Sequence, residues 1–153
     1  MEGLDNRACS CRVKEDCPLD GNCNQNNLIY KAEVIEEFGS GEPVAEYYGC
    51  TDNFKKRFRN HTKSLNHEKY RNETDLSKFV WSKRDQGIVT KIKWSVVRKA
   101  PIYKSGSVYC CLCMLEKIII ILAKGAKNRR SVLLNERIDV CNRCPHRIKA
   151  GVT

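Results

Sequence analysis

Ten cysteines in 153 residues, gathered mainly at the two ends of the chain, restrict what this sequence can fold into more than any other feature. Cys9, Cys11, Cys17 and Cys23 lie within residues 1–26, a stretch with proline, glycines and asparagines but almost no apolar periodicity. Such a segment cannot bury enough surface to order itself. A bound metal could order it. The opening MEGLDNRACS has no apolar stretch of the secretory kind, and no window approaches the ~20 apolar residues of a membrane span. An intracellular chain is therefore expected, in which thiols stay reduced and thiolate–metal ligation explains the cysteines better than a disulfide framework, the alternative. The sequons at Asn60 and Asn72 would matter only in a secreted chain.

The length suits one domain with its own core. Lysine and arginine total 28 against 18 acidic residues, a net charge of +10, which favours a polyanionic partner, with an anionic membrane surface the less common choice. The charge is concentrated at Lys55-Lys56-Arg57-Phe58-Arg59, over Lys124 to Arg130 and over Arg143 to Lys149. Any one such run is as readily a solvated face as a nucleic-acid contact.

Residues 28–35 (LIYKAEVI) and 44–48 (VAEYY) are rich in β-branched and aromatic side chains and read as an antiparallel hairpin turning near Gly39. Gly49 is expected to break the second strand. Asp52 or Asn53 can cap a helix in which Phe54, Phe58, His61 and Leu65 recur at helical spacing beneath a cationic outer face. A second helix is expected from Thr74 as N-cap to about Asp85, stopped by Gly87. Thr90 to Val97 alternates as a third strand. The run 114–123 (MLEKIIIILA) is helix or buried strand by periodicity alone; its Met, Leu, Glu, Lys and Ala flanks favour a buried helix, against four consecutive isoleucines. No repeat or low-complexity tract is visible. The expected architecture is α+β: an N-terminal extension over 1–26, a core over 27–137 and a basic tail over 138–153.

The hairpin and first helix together supply Tyr30, Tyr47, and Arg57 with His61 four apart on one helix face. Leu28-Ile29-Tyr30, Tyr47-Tyr48-Gly49 and the helix bearing Arg57 and His61 resemble the signature of GIY-YIG nucleases, and Glu116 and Asn135 match that family's later glutamate and asparagine. Leu28 stands where the family name has its first glycine, and Tyr48 where it has isoleucine. Cys9-Ser10-Cys11, Cys17 to Cys23, Cys110-Cys111-Leu112-Cys113 and Cys144-Pro145-His146 make the chain more narrowly similar to the endonuclease domain of Penelope-like retroelements.

The resemblance implies a small GIY-YIG-type domain, a three-stranded antiparallel sheet flanked by helices, that hydrolyses DNA phosphodiesters with a divalent ion. Glu116 would hold magnesium or manganese, and Arg57 would grip the scissile phosphate through paired donors. Tyr30 or Tyr47 would take the water's proton once its ordinary pKa of ~10 is lowered. His61 would relay that proton or bind phosphate, and Asn135 would brace the site, unless it is a turn or cap residue. Lys55, Lys56, Arg59 and Lys63 are candidates for holding the DNA backbone. The retroelement likeness further implies nicking or cutting for integration, with a 3′-hydroxyl left to prime reverse transcription. It also implies an attached reverse transcriptase with its template RNA in a longer parent protein, and a nuclear location. The alternative is an inactive zinc-containing nucleic-acid-binding module.

For the cysteines, Cys110-x-x-Cys113 with Cys144-x-His146 offers three thiolates and an imidazole, a tetrahedral set suited to structural zinc. Cys9, Cys11, Cys17 and Cys23 offer a second set, with one zinc and free thiols as the fallback. Cys141-x-x-Cys144 is a rival half-site. Cys50, Cys111 and Cys141 are left without a role.

Overall fold

The computed structural model describes residues 8–104, 107, 110–126, 130–135 and 144. The elements run β1 (Leu28–Glu36), β2 (Pro43–Thr51), α1 (Phe54–Asn66), α2 (Asp75–Asp85), β3 (Thr90–Lys99), α3 (Cys111–Gly125) and β4 (Val132–Leu133). The fold is α+β, built on one sheet of order β3-β1-β2-β4. The first three strands are antiparallel as expected, but β4 pairs parallel to β2, so the sheet is mixed and four-stranded. Two residues are too few to show a strand period in the sequence, and β4 exists only because the chain after α3 returns along β2.

Strand alternation sorts the side chains. Leu28, Tyr30, Ala32 and Val34 of β1 are buried together with Ala45 and Tyr47 of β2, and Phe54 of α1 and Leu76 and Val80 of α2 close over them. Cys17, Leu19 and Cys23 of the N-terminal segment join this same cluster. Leu28 is fully buried, so the position that bears glycine in the family name is here an apolar core residue. The other face carries Ile29, packed with Cys110 and Leu112 and flanked by Cys50. Each face thus receives its own helices, α1 and α2 on one and α3 on the other.

Local signals set the helix ends. Asn53 caps α1, its side chain accepting from the Lys56 N–H at 3.1 Å. Thr74 and Ser77 form a reciprocal capping box at the start of α2, which satisfies two otherwise orphaned donors. Gly87, at φ +76, follows the end of α2 in the left-handed conformation that glycine adopts at no steric cost.

Two expectations are corrected. Gly49 does not break β2 but lies within it, paired directly with Tyr30. Opposed residues project to the same face, and a Cβ on Gly49 would lie 2.3 Å from Tyr30 Oη, so the glycine is there to let the phenol lie across the strand. The run 114–123 is a helix, but not a buried one: Ile120 is its one buried residue, while Met114, Ile118, Ile121 and Leu122 are exposed. Consecutive isoleucines spread around a helix, and only one stripe of it can face a sheet.

Gly49→Ala is expected to cost about 1–3 kcal/mol of stability, read as a lower denaturant midpoint. Tyr30 is fully buried and has no room to withdraw. The double change Gly49→Ala, Tyr30→Ala should be less destabilised than the sum of the two single changes.

Candidate functional site

Tyr30, Tyr47, Arg57 and His61 converge where β1 and β2 meet α1. Tyr30 Oη lies 2.7 Å from His61 Nε2 and accepts from Arg57 Nε at 3.1 Å. The four-residue spacing of Arg57 and His61 puts both on the helix face turned to the sheet, where one hydroxyl bridges them. Tyr30 sits edge-on to Phe54 and His61, each at 5.7 Å between ring centroids, and His61 is 5.3 Å from Trp94 and 5.8 Å from Tyr47. The aromatic rings hold the polar groups in a largely anhydrous setting, which strengthens their interactions.

That burial sets the protonation states. It pushes the Tyr30 phenol well above its ordinary range, with the Arg57 charge and hydrogen bond opposing. Tyr47 is raised for the same reason; Arg57 pulls it down and the charge of Glu116 pushes it up. Burial, with the Arg57 charge behind it, lowers His61 to about 3, so the imidazole is neutral near pH 7. Arg57, Tyr30 and neutral His61 thus form one chain of hydrogen bonds through the phenol oxygen. His61 Nδ1 is buried without a hydrogen-bond partner. His61 is only 2% exposed, and what it does in the fold is hold the Tyr30 hydroxyl at 2.7 Å.

Glu116 enters from α3. Its Oε2 accepts from the Cys50 thiol at 3.2 Å. Burial raises its carboxyl above the usual range, while hydrogen bonds from the Cys50 thiol and backbone and the charge of Arg57 act against the shift. Cys50, which the sequence left without a role, therefore touches the residue expected to bind the divalent ion. Its own thiol is held protonated by a hydrogen bond with Cys113, by burial and by the negative charge of Glu116.

Asn135 is hydrogen-bonded to the backbone of β2. Its Oδ1 accepts from the Tyr48 N–H at 2.8 Å and its Nδ2 donates to the Tyr48 carbonyl at 2.7 Å, extending the two-residue pairing of β4 by one side-chain amide. Of the basic candidates, Lys56, Arg59 and Lys63 lie exposed on α1. Lys55 instead donates to Ser10 of the N-terminal segment, and Lys63 Nζ lies 4.0 Å over the Tyr70 ring.

The thiols form two groups. The sulfurs of Cys9, Cys11, Cys17 and Cys23 all lie within 4.8 Å of one another, as do those of Cys110, Cys113 and Cys144. Cys11 to Cys23 and Cys23 to Cys9 are 3.6 Å, and Cys113 to Cys144 is 3.4 Å. A disulfide would need ~2.05 Å, whereas the edge of a tetrahedron with Zn–S bonds of ~2.3 Å is about 3.8 Å. The spacing is that of thiolates around a zinc ion, and the Cys11 N–H donating to Cys9 Sγ at 3.3 Å offsets thiolate charge. Both clusters can hold zinc, the first with four thiolates and the second with three. The expected fourth ligand His146 and the rival Cys141 lie outside the described residues.

Comparison of the chain with protein-family models, with curated proteins and with solved structures gave no match.

Two outcomes are expected. Cys17→Ala should lower bound zinc by about one ion per chain and reduce the thermal midpoint, because the segment's ordering depends on its ligands; Cys111→Ala, at an exposed thiol, should change neither. Metal analysis and thermal unfolding report both. For His61, the lowered folded value means that the unfolded state binds more protons between about pH 6.5 and about 3. Its contribution is thus complete above about pH 6.5 and drains away as the pH falls. Denaturant midpoints at pH 7 and 4.5 should differ less in His61→Gln than in the wild type.

Proposed function

We propose that this protein is a metal-dependent DNA endonuclease of the GIY-YIG type. The observation that carries this reading is the grouping of Tyr30, Tyr47, Arg57 and His61 where two strands meet α1, with Glu116 of α3 near enough for its charge to act on Tyr47. Asn135 supports it by fixing the strand that bears Tyr47.

Glu116 is the residue that would hold the divalent ion. A single partly buried carboxylate whose charge is disfavoured by burial suits magnesium or manganese, which keep several waters and bind through one or two carboxylates. Bound there, such an ion would supply Lewis-acid stabilisation of the phosphate and leaving oxygens. The remaining work falls to the chain's own groups. Arg57 has five donors; with Nε on Tyr30 and its charge acting on Tyr47, it has capacity left to grip a phosphate. Tyr47 feels the charges of both Arg57 and Glu116 and is the better placed of the two tyrosines to orient a water between them. Tyr30, buried deeper and hydrogen-bonded to both Arg57 and His61, would hold the arginine in place rather than move a proton.

The cysteine clusters, when filled, have no open position for water, so their zinc is structural. Exposed Lys56 and Arg59 would hold the DNA backbone, with the salt dependence that phosphate contacts bring. The cysteine pattern motivates the narrower proposal of a retroelement endonuclease of the Penelope-like kind. Such a domain would act in the nucleus beside a reverse transcriptase and its template RNA, leaving a 3′-hydroxyl as primer. Among the described residues no helix is long and apolar enough to cross a membrane.

Purified protein at low salt should nick or linearise supercoiled plasmid with magnesium and not with chelator. Glu116→Ala should reduce cleavage by at least about a thousandfold, the scale of several kcal/mol of transition-state stabilisation, while DNA retardation persists. Arg57→Lys, which loses paired donation, should fall by about a hundredfold. Retarded but uncut plasmid in every lane would overturn the enzyme in favour of a DNA-binding relic.

A further inference from the structure

Between the C-terminal cysteine cluster and the expected catalytic carboxylate lies one side chain that contacts both. On α3, Cys113 and Glu116 are three residues apart, a spacing that sets thiolate and carboxylate side by side on one helix face. Strand alternation turns Cys50 to that face, opposite its neighbour Gly49 and paired with Ile29. Its Sγ donates to Glu116 Oε2 at 3.2 Å and it packs in one cluster with Cys113, whose own sulfur lies 3.4 Å from that of Cys144. Residue 50 therefore holds Glu116 through its side chain.

We propose that Cys50 is a positioning residue. Its thiol ties one oxygen of Glu116 toward the Cys110, Cys113 and Cys144 cluster, leaves the other to a divalent ion, and so makes affinity for that ion depend on the filling of the cluster. This rests on the reading of Glu116 as the divalent-ion ligand. Cys50 is not itself a member of the thiol group that converges within 4.8 Å, and its sulfur is directed at the Glu116 carboxylate instead. Its place is that of a group outside a metal's own ligands that orients one of them, a position whose loss typically weakens metal binding by about 10–100-fold. A single thiol donor is a weak one, which puts the expected loss at the lower end.

Serine keeps a donor at this position and alanine does not. Three properties of wild type, Cys50→Ser, Cys50→Ala and Cys110→Ala separate the possibilities: zinc content, manganese affinity by electron paramagnetic resonance, and the magnesium concentration for half-maximal plasmid nicking. Cys50→Ala should keep its full zinc, bind manganese about tenfold more weakly and need about tenfold more magnesium. Cys50→Ser should lie within about twofold of wild type. Cys110→Ala should lose one zinc and show a similar weakening toward manganese. Unchanged manganese affinity in Cys50→Ala overturns the inference and leaves the nuclease reading standing, and loss of zinc in Cys50→Ala overturns it by making Cys50 a ligand. A wild type that binds manganese without cutting DNA overturns the nuclease reading, and the manganese affinities still decide the role of Cys50. A wild type that neither binds manganese nor cuts overturns both.

Discussion

The Tyr30 hydroxyl is the point on which the arrangement of this protein depends. A fully buried phenol must satisfy its oxygen or lose its place, and here Arg57 and His61 satisfy it from one helix. This fixes the rotation and height of α1 on the sheet. It also requires the absence of a side chain at Gly49, since a Cβ there would occupy the space of the phenol. The aromatic shell of Phe54, Trp94 and Tyr47 follows from the same constraint, because the polar groups gain strength only where water is excluded.

The second constraint is metal. Residues 8–27 contribute few apolar side chains, yet Cys17, Leu19 and Cys23 lie in the main core. Four thiolates around one ion can hold such a segment in place, and Lys55, bonded to Ser10, fastens it to the start of α1. At the other end Cys110, at the N-cap of α3, and Cys113 in its first turn belong to the second cluster, so the helix that carries Glu116 begins at a metal site. Structural ions would thus fix both the strand-to-helix corner near α1 and the start of α3, the two elements that bring cation and carboxylate together.

What was legible in the sequence was local. Capping by Asn53 and Thr74, the β1–β2 hairpin and the alternation of β3 depend on neighbours a few residues apart, so composition and spacing reported them faithfully. The same local logic misread Gly49, because a glycine in an apolar strand is a break or a close approach according to what lies across from it. It also overstated the burial of the isoleucine run, whose periodicity carries no information about how much sheet is available to cover it.

Residue type and order alone determined the candidate chemistry: two tyrosines, an arginine and histidine on one helix face, a carboxylate among apolar residues, and cysteines too numerous for packing alone. Which of these touch was decided by tertiary structure. Cys50 meets Glu116 across 66 residues of chain, Asn135 meets Tyr48 across 87, and β4 forms only because β2 is there to receive it. Contacts at such separation leave no period or spacing in a single sequence; they arise when burial and hydrogen-bond satisfaction select one packing from many.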